Sequence, residues 1–221
     1  MISALVPAIP LNEAASVFTK SRVKVVGGRF EVLVEKMAES KDVDLVCAGA
    51  EYLIDITCYK NLTRIDSRRS LGMRMSCLTV QKGNPKKINS LESLLAPGMR
   101  IGISTEGCTL GIWEEIVNRS DIPLDTMKTK IKHYLMGCGS LIGALRRSDV
   151  DAVFGWTAFE KTASNACESV VLSNELTIVR STGIALTTFT QDEELCNEFI
   201  EFLLSKEGDE IYKKYGWERP W

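Results

Sequence analysis

Two short stretches hold the side chains and backbone best suited to chemistry, Thr105 to Gly111 and Gly137 to Ser140. Each follows an apolar run and leads into a helical pattern, which sets glycines, hydroxyls and thiols at a helix start. Amides at that position carry partial positive charge and bind anions without a formal countercharge. Glycines let the backbone come close to a ligand. Val6-Pro7-Ala8 and Gly27-Gly28-Arg29 stand in the same relation to the runs before them. Arg29 adds a guanidinium able to hold an oxyanion or a carboxylate in a bidentate contact, against its plainer use as a surface arginine at a helix start. Thr105, Thr109 and Ser140 are hydroxyls that capping alone explains. Glu106 would repel an anion and is expected to face water.

Catalytic patterns are thin. The single histidine, His133, lies among Lys130, Lys132 and Tyr134 with no acid or nucleophile in pattern, and reads as structural. Cys108 and Cys138 each stand near a helix start, where a thiol pKa falls, yet no general base accompanies them. No P-loop or GxGxxG is present. The seven cysteines, at 47, 58, 77, 108, 138, 167 and 196, form no CxxC pair and no metal-finger spacing. They read as buried thiols packing as small hydrophobes, with at least one unpaired in a monomer. No cofactor, metal or catalytic residue is expected.

The elements that must position these loops alternate. Residues 2–6, 23–26 and 43–46 read as strands, with helices over 12–19 and 29–38 between them. That βαβαβ opening implies a parallel sheet with right-handed crossovers. Further strands are expected at 73–80, 100–104, 152–155, 170–172, 177–179 and 184–188. Helices are expected at 140–147, 191–204 and 207–215, with a short one near Leu91 to Leu95 capped by Ser90. With 221 residues, 45% hydrophobic and 25% charged, the chain has material for two lobes, each of about 100 residues. A net charge of −2 offers no nucleic-acid surface. The apolar runs fall short of the roughly 20 residues that cross a bilayer. No export signal follows Met1, so either the signal has been removed or the protein stays inside.

The segment Gly83 to Gly111 resembles the periplasmic molybdate/tungstate-binding proteins, the solute-binding components of ABC importers. Asn84-Pro85, Ile88, Ser90-Leu91 and Leu94 match that family's NP-x-x-I-x-S-L-x-D-L. Pro97-Gly98 and Arg100-Ile101 match its P-G-x-R-I-A-I, and Gly111 to Trp113 matches its G-x-Y. Phe199, Phe202-Leu203, Ser205, Glu207-Gly208, Ile211 and Tyr215-Gly216 are similar to its closing helices. The resemblance implies an α/β, type II periplasmic-binding-protein fold, each lobe a mainly parallel sheet flanked by helices. Two crossing strands would join lobe one, 1–79 plus 184–221, to an inserted lobe two, 80–183, with a ligand cleft between them.

By the same resemblance the function is capture of a small oxyanion for a membrane ABC permease, by a periplasmic monomer that binds no nucleic acid. The family's first serine falls near Val6, with Ser3 close by, and its serine-rich loop is shortened to Gly27, Gly28, Arg29 and Phe30. In lobe two the amides of Leu110, Gly111, Cys138 and Gly139 remain, with Thr109 beside them as a further ligand candidate. Trp156 stands where relatives have tyrosine, either to stack on a ligand or to fill core. Two alternatives stay open: a cytoplasmic effector-sensing module of the same plan, as in LysR-type regulators, and an enzyme using a cleft cysteine.

Overall fold

The computed structural model describes residues 1–219. In chain order its elements are β1 (Ile2–Ala4), α1 (Ala8–Val17), β2 (Val26–Gly28), α2 (Phe30–Ser40), β3 (Leu45–Ala48), α3 (Glu51–Tyr59) and β4 (Arg69–Gln81). There follow β5 (Ile101–Ser104), α4 (Ile112–Asn118), α5 (Leu124–Lys130), β6 (Ile131–Leu135), α6 (Gly137–Arg146), β7 (Ala152–Trp156), α7 (Thr157–Thr162) and β8 (Cys167–Val170). The chain closes with β9 (Val179–Leu186), α8 (Glu193–Leu204) and α9 (Lys206–Lys214). They form a mixed α/β fold of two compact units, Met1–Met73 with Arg180–Trp221, and Arg74–Val179. The chain passes between them within β4 and again at β9.

In the first unit the strand order is β2-β1-β3-β9, with β1 parallel to both neighbours and β9 antiparallel to β3. All four residues of β3 are buried, as expected of a strand covered on both faces. Gly27 is small for a packing reason: a Cβ there would stand 2.6 Å from the Ala8 Cβ, so α1 could not start where it does. Phe18 packs on Phe199 and Phe202 at centroid distances of 5.1 and 5.5 Å, tying the end of α1 to α8. Asp192 caps α8 by accepting from the Leu195 amide, and Ser205 caps α9 by accepting from Gly208.

The second unit has the order β4-β7-β5-β6, with β8 on the other side of β4. β5 is parallel to β6 and β7, and β4 is antiparallel to β7 and β8. Asp151, at the entry to β7, is buried and accepts from the Arg100 backbone amide at 2.9 Å and from its guanidinium at 2.6 Å. That clamp sets where β5 and β7 begin.

Several boundaries move. The helix expected at 12–19 starts at Ala8, because Pro7 is already helical and can stand where no amide is needed. The strand expected at 23–26 is Val26–Gly28. Residues 179–186 form one strand where two fragments were expected. α3, α5, β6 and α7 went unassigned in the sequence. The segment expected as a helix at Leu91–Leu95 is a 3-10 turn over Glu92–Leu95.

Candidate functional site

β5 and β6 run parallel in a register that pairs Ser104 with Leu135, so both strands end side by side. The loops that follow are therefore neighbours. Thr105 donates its amide to the Leu135 carbonyl at 2.9 Å. The Ser104 hydroxyl donates to the Glu106 carbonyl at 2.8 Å and accepts the Gly137 amide at 2.9 Å. Gly107 and Gly137 both have left-handed backbone, φ 70° and 72°, which residues with a side chain seldom adopt. They also lie close together: a Cβ on Gly107 would stand 3.9 Å from the Gly137 Cα. Cys108 and Cys138 each follow one of these glycines, and their sulfurs lie 3.1 Å apart.

Beneath this pair sits a buried cation. Ser76 on β4 is paired with Trp156 on β7, and Arg74 lies two residues along on the same face of the strand. Arg74 and Trp156 are both 0% exposed. The guanidinium lies 4.7 Å from the indole centroid. Its Nη1 donates to the Cys108 Sγ at 3.6 Å, and the Trp156 Nε1 donates to the same sulfur at 3.3 Å. The Cys138 hydrogen bond, aided by the charge and hydrogen bond of Arg74 and by the indole N–H, pulls the Cys108 pKa well below the usual thiol range despite burial. Bonding to Cys108, burial and the Cys108 charge push Cys138 up. Cys108 is therefore the sulfur of the pair that ionises more readily, and Cys138 the one that holds its proton longer.

The first turn of α6 faces the same place. Of its amides without an intrahelical acceptor, that of Gly137 is taken by Ser104, leaving those of Cys138 and Gly139 at the helix start. Thr109 is 3% exposed; its hydroxyl lies near the Cys138 sulfur, and no well-formed hydrogen bond fixes it among the described residues. A buried hydroxyl in that state has capacity for an incoming acceptor. Glu106 is half-buried, with its Oε1 3.5 Å from where a Cβ on Gly137 would stand, so the carboxylate lies by the start of α6 while still reaching water.

The other expected residues fall as follows. Leu110 is 47% exposed, and its amide is used by the Gly107 carbonyl in the 3-10 turn. Gly111 takes a left-handed conformation at the start of α4. Gly139 lies in the first turn of α6, and Trp156 is core with its N–H given to Cys108. Ser3, Val6, Gly28 and Arg29 belong to the first unit. Ser3 is buried in β1 and its hydroxyl donates to the Ala4 carbonyl at 2.9 Å. Val6 is buried in the turn before α1, with its carbonyl taken by Ile9. Gly28 pairs with Ala4, which places Arg29, the residue preceding α2, at the same end of the sheet as that turn. A cavity of about 490 Å³ in this unit opens instead near the starts of β1, β2 and β3, by Met1, Val26 and Leu45. Ligands in open α/β sheets favour the other end.

Arg74 and the pairing of Cys108 with Cys138 were not singled out in the sequence. The available signal was an arginine inside the apolar run Met73 to Val80, a place where a charge is kept only when something compensates it.

A family model of bacterial extracellular solute-binding proteins matches residues 2–218. No curated protein is similar enough to match. Among solved structures, PEB3 with bound L-phospholactate superposes with a TM-score of 0.88 at 24% identity, covering 99% of this chain and 98% of that one. PEB3 from Campylobacter jejuni gives 0.84 at 25% identity with the same coverage. The periplasmic molybdate-binding protein of Azotobacter vinelandii gives 0.77 at 14% identity, covering 100% and 99%. These likenesses fix the fold as the type II periplasmic-binding-protein plan.

Proposed function

The chain belongs to the bacterial extracellular solute-binding protein family, and from that premise we propose that it captures a small anion for an ABC permease, outside the cytoplasmic membrane. The observation that carries the reading is the combination at the start of α6. Helix amides and the unbonded Thr109 hydroxyl stand at one place, backed by the buried charge of Arg74. Thr109, Cys138 and Gly139 are the proposed contacts in the second unit. Arg29, at the start of α2, is the proposed anion contact of the first.

Molybdate and tungstate are the first candidates by the sequence resemblance. The Ser3 hydroxyl argues against a tetrahedral oxyanion held by serines, because it is buried and bonded within its own strand. The likeness to PEB3 with L-phospholactate supports an organic anion bearing phosphate or carboxylate instead. A thermal-shift panel of molybdate, tungstate, sulfate, phosphate, L-phospholactate and lactate separates these. At a hundred times its Kd the true ligand adds about 2.7 kcal/mol of stability, roughly 5–10 °C for a chain of this size. If none of the anions raises the midpoint, the proposal falls.

A further inference from the structure

We propose that Cys108 and Cys138 are a redox couple that closes to a disulfide at the start of α6 when the protein meets a disulfide oxidant, and reopens under excess thiol. Their sulfurs stand 3.1 Å apart, so closure to a bond of about 2.05 Å needs roughly 1 Å of travel. Both sulfurs sit on loops already joined by the Gly137 amide donating to the Ser104 hydroxyl, and glycine gives each loop backbone freedom immediately before its cysteine. The other cysteines are placed differently. Cys58, Cys77 and Cys196 have sulfur contacts to Thr63, Thr79 and Thr190, and Cys167 to the Ala163 carbonyl. Burial pushes Cys77 up to about 11 and Cys167 up to about 12, which keeps them as unreactive thiols. Cys108 is the opposite case, a sulfur whose ionised form is favoured by Cys138, Arg74 and Trp156 at 3.1, 3.6 and 3.3 Å.

The chemistry divides between the two sulfurs. Cys138 is the partly exposed member and Cys108 is buried. Cys138 passes its proton to the Cys108 sulfur 3.1 Å away and attacks a disulfide reagent RSSR as thiolate; a mixed disulfide forms, and the expelled RS⁻ takes that proton from Cys108 and leaves as RSH. The Cys108 thiolate then attacks the Cys138 sulfur and expels RS⁻, which takes a proton from water. Two electrons pass from the cysteine pair to the reagent, and two thiols RSH are released. Nothing in these steps needs an anionic ligand. The inference rests on the proposed function only for the statement that the couple lies in the anion site.

The test is peptide mapping of the full chain after equilibration in glutathione buffers of increasing oxidised fraction, with alkylation of remaining thiols. The expected result is a Cys108–Cys138 cross-linked peptide, loss of two hydrogens from the intact mass and two fewer alkylated cysteines. Cys108→Ser and Cys138→Ser should each abolish the cross-link, and Cys138→Ser should also stop the pair from taking up glutathione. Persistent glutathione on Cys138 with Cys108 still alkylated would overturn the proposal. So would seven alkylated thiols at every buffer ratio. Both readings come from the wild-type chain, so they stand even if a variant folds poorly.

Discussion

Replacing Arg74 by methionine should leave the fold standing, and in a Cys108→Ser background it should strip the protein of most of its anion affinity. The guanidinium is fully buried, stacks on Trp156 and sets its charge against Cys108. Apolar replacement of a buried ion pair is commonly neutral or stabilising by about 1–4 kcal/mol, and loss of the cation–π contact costs about 2 kcal/mol. The two nearly offset, so the unfolding free energy should stay within about 2 kcal/mol of wild type. Cys108, deprived of the cation, takes up a proton rather than remain charged in a dry site. For the ligand the countercharge decides the outcome: where Cys108 is ionised, Arg74→Met removes both charges together and affinity should change little, whereas in a Cys108→Ser background it removes an uncompensated cation. Taken at roughly 7 Å and an effective dielectric near 20, that unit charge contributes about 2.4 kcal/mol, or about fiftyfold in Kd. Isothermal titration with molybdate and with L-phospholactate reads the affinity, urea unfolding reads the stability, and thiolate ultraviolet absorbance reads Cys108. An Arg74→Met, Cys108→Ser protein that folds and binds either anion as tightly as Cys108→Ser alone would refute the reasoning.

Other expectations follow from the same coordinates. Glu106→Gln removes a carboxylate lying over the start of α6 and should tighten anion binding about tenfold by titration. Gly137→Ala forces a side chain into φ 72° and should cost about 1–2 kcal/mol in urea unfolding, with weaker anion binding. Asp151→Asn breaks a buried contact to Arg100 and should destabilise by about 3 kcal/mol. Burial opposes the effect, but the Arg100 hydrogen bonds and charge hold the Asp151 pKa below its usual value. Its stabilisation is therefore complete above the unfolded carboxylate pKa of about 4 and fades as pH falls through the lower folded value. Unfolding midpoints of wild type and Asp151→Asn should accordingly converge in acid. Disulfide closure would delete the negative charge facing Arg74, so the oxidised protein should bind anions about tenfold tighter than the reduced one.

What could be read in the sequence was whatever local pattern determines. The βαβαβ opening was legible because β3 is uniformly apolar and α2 places Phe30, Val34 and Met37 on one face. α3 was not, because Glu51 to Tyr59 is rich in β-branched and aromatic residues and is held helical by burial of Leu53, Ile54 and Thr57. The loops at Thr105–Gly111 and Gly137–Ser140 could be found by their glycines. That they touch could not be found so, since it depends on the β5–β6 register. Arg74 and Cys108 are 34 residues apart. A pairing of that kind comes from strand order and leaves no local trace.

The indole of Trp156 has its N–H on the same sulfur that carries the charge of Cys108. Its excited state is therefore next to an electron-rich quencher whenever that sulfur is ionised. Emission from this one tryptophan becomes a built-in optical gauge, brightening as acid protonates the sulfur and needing no attached dye. Stopped-flow fluorescence on unlabelled protein can thus follow events at the start of α6 in real time, with Trp156→Phe as the dark control.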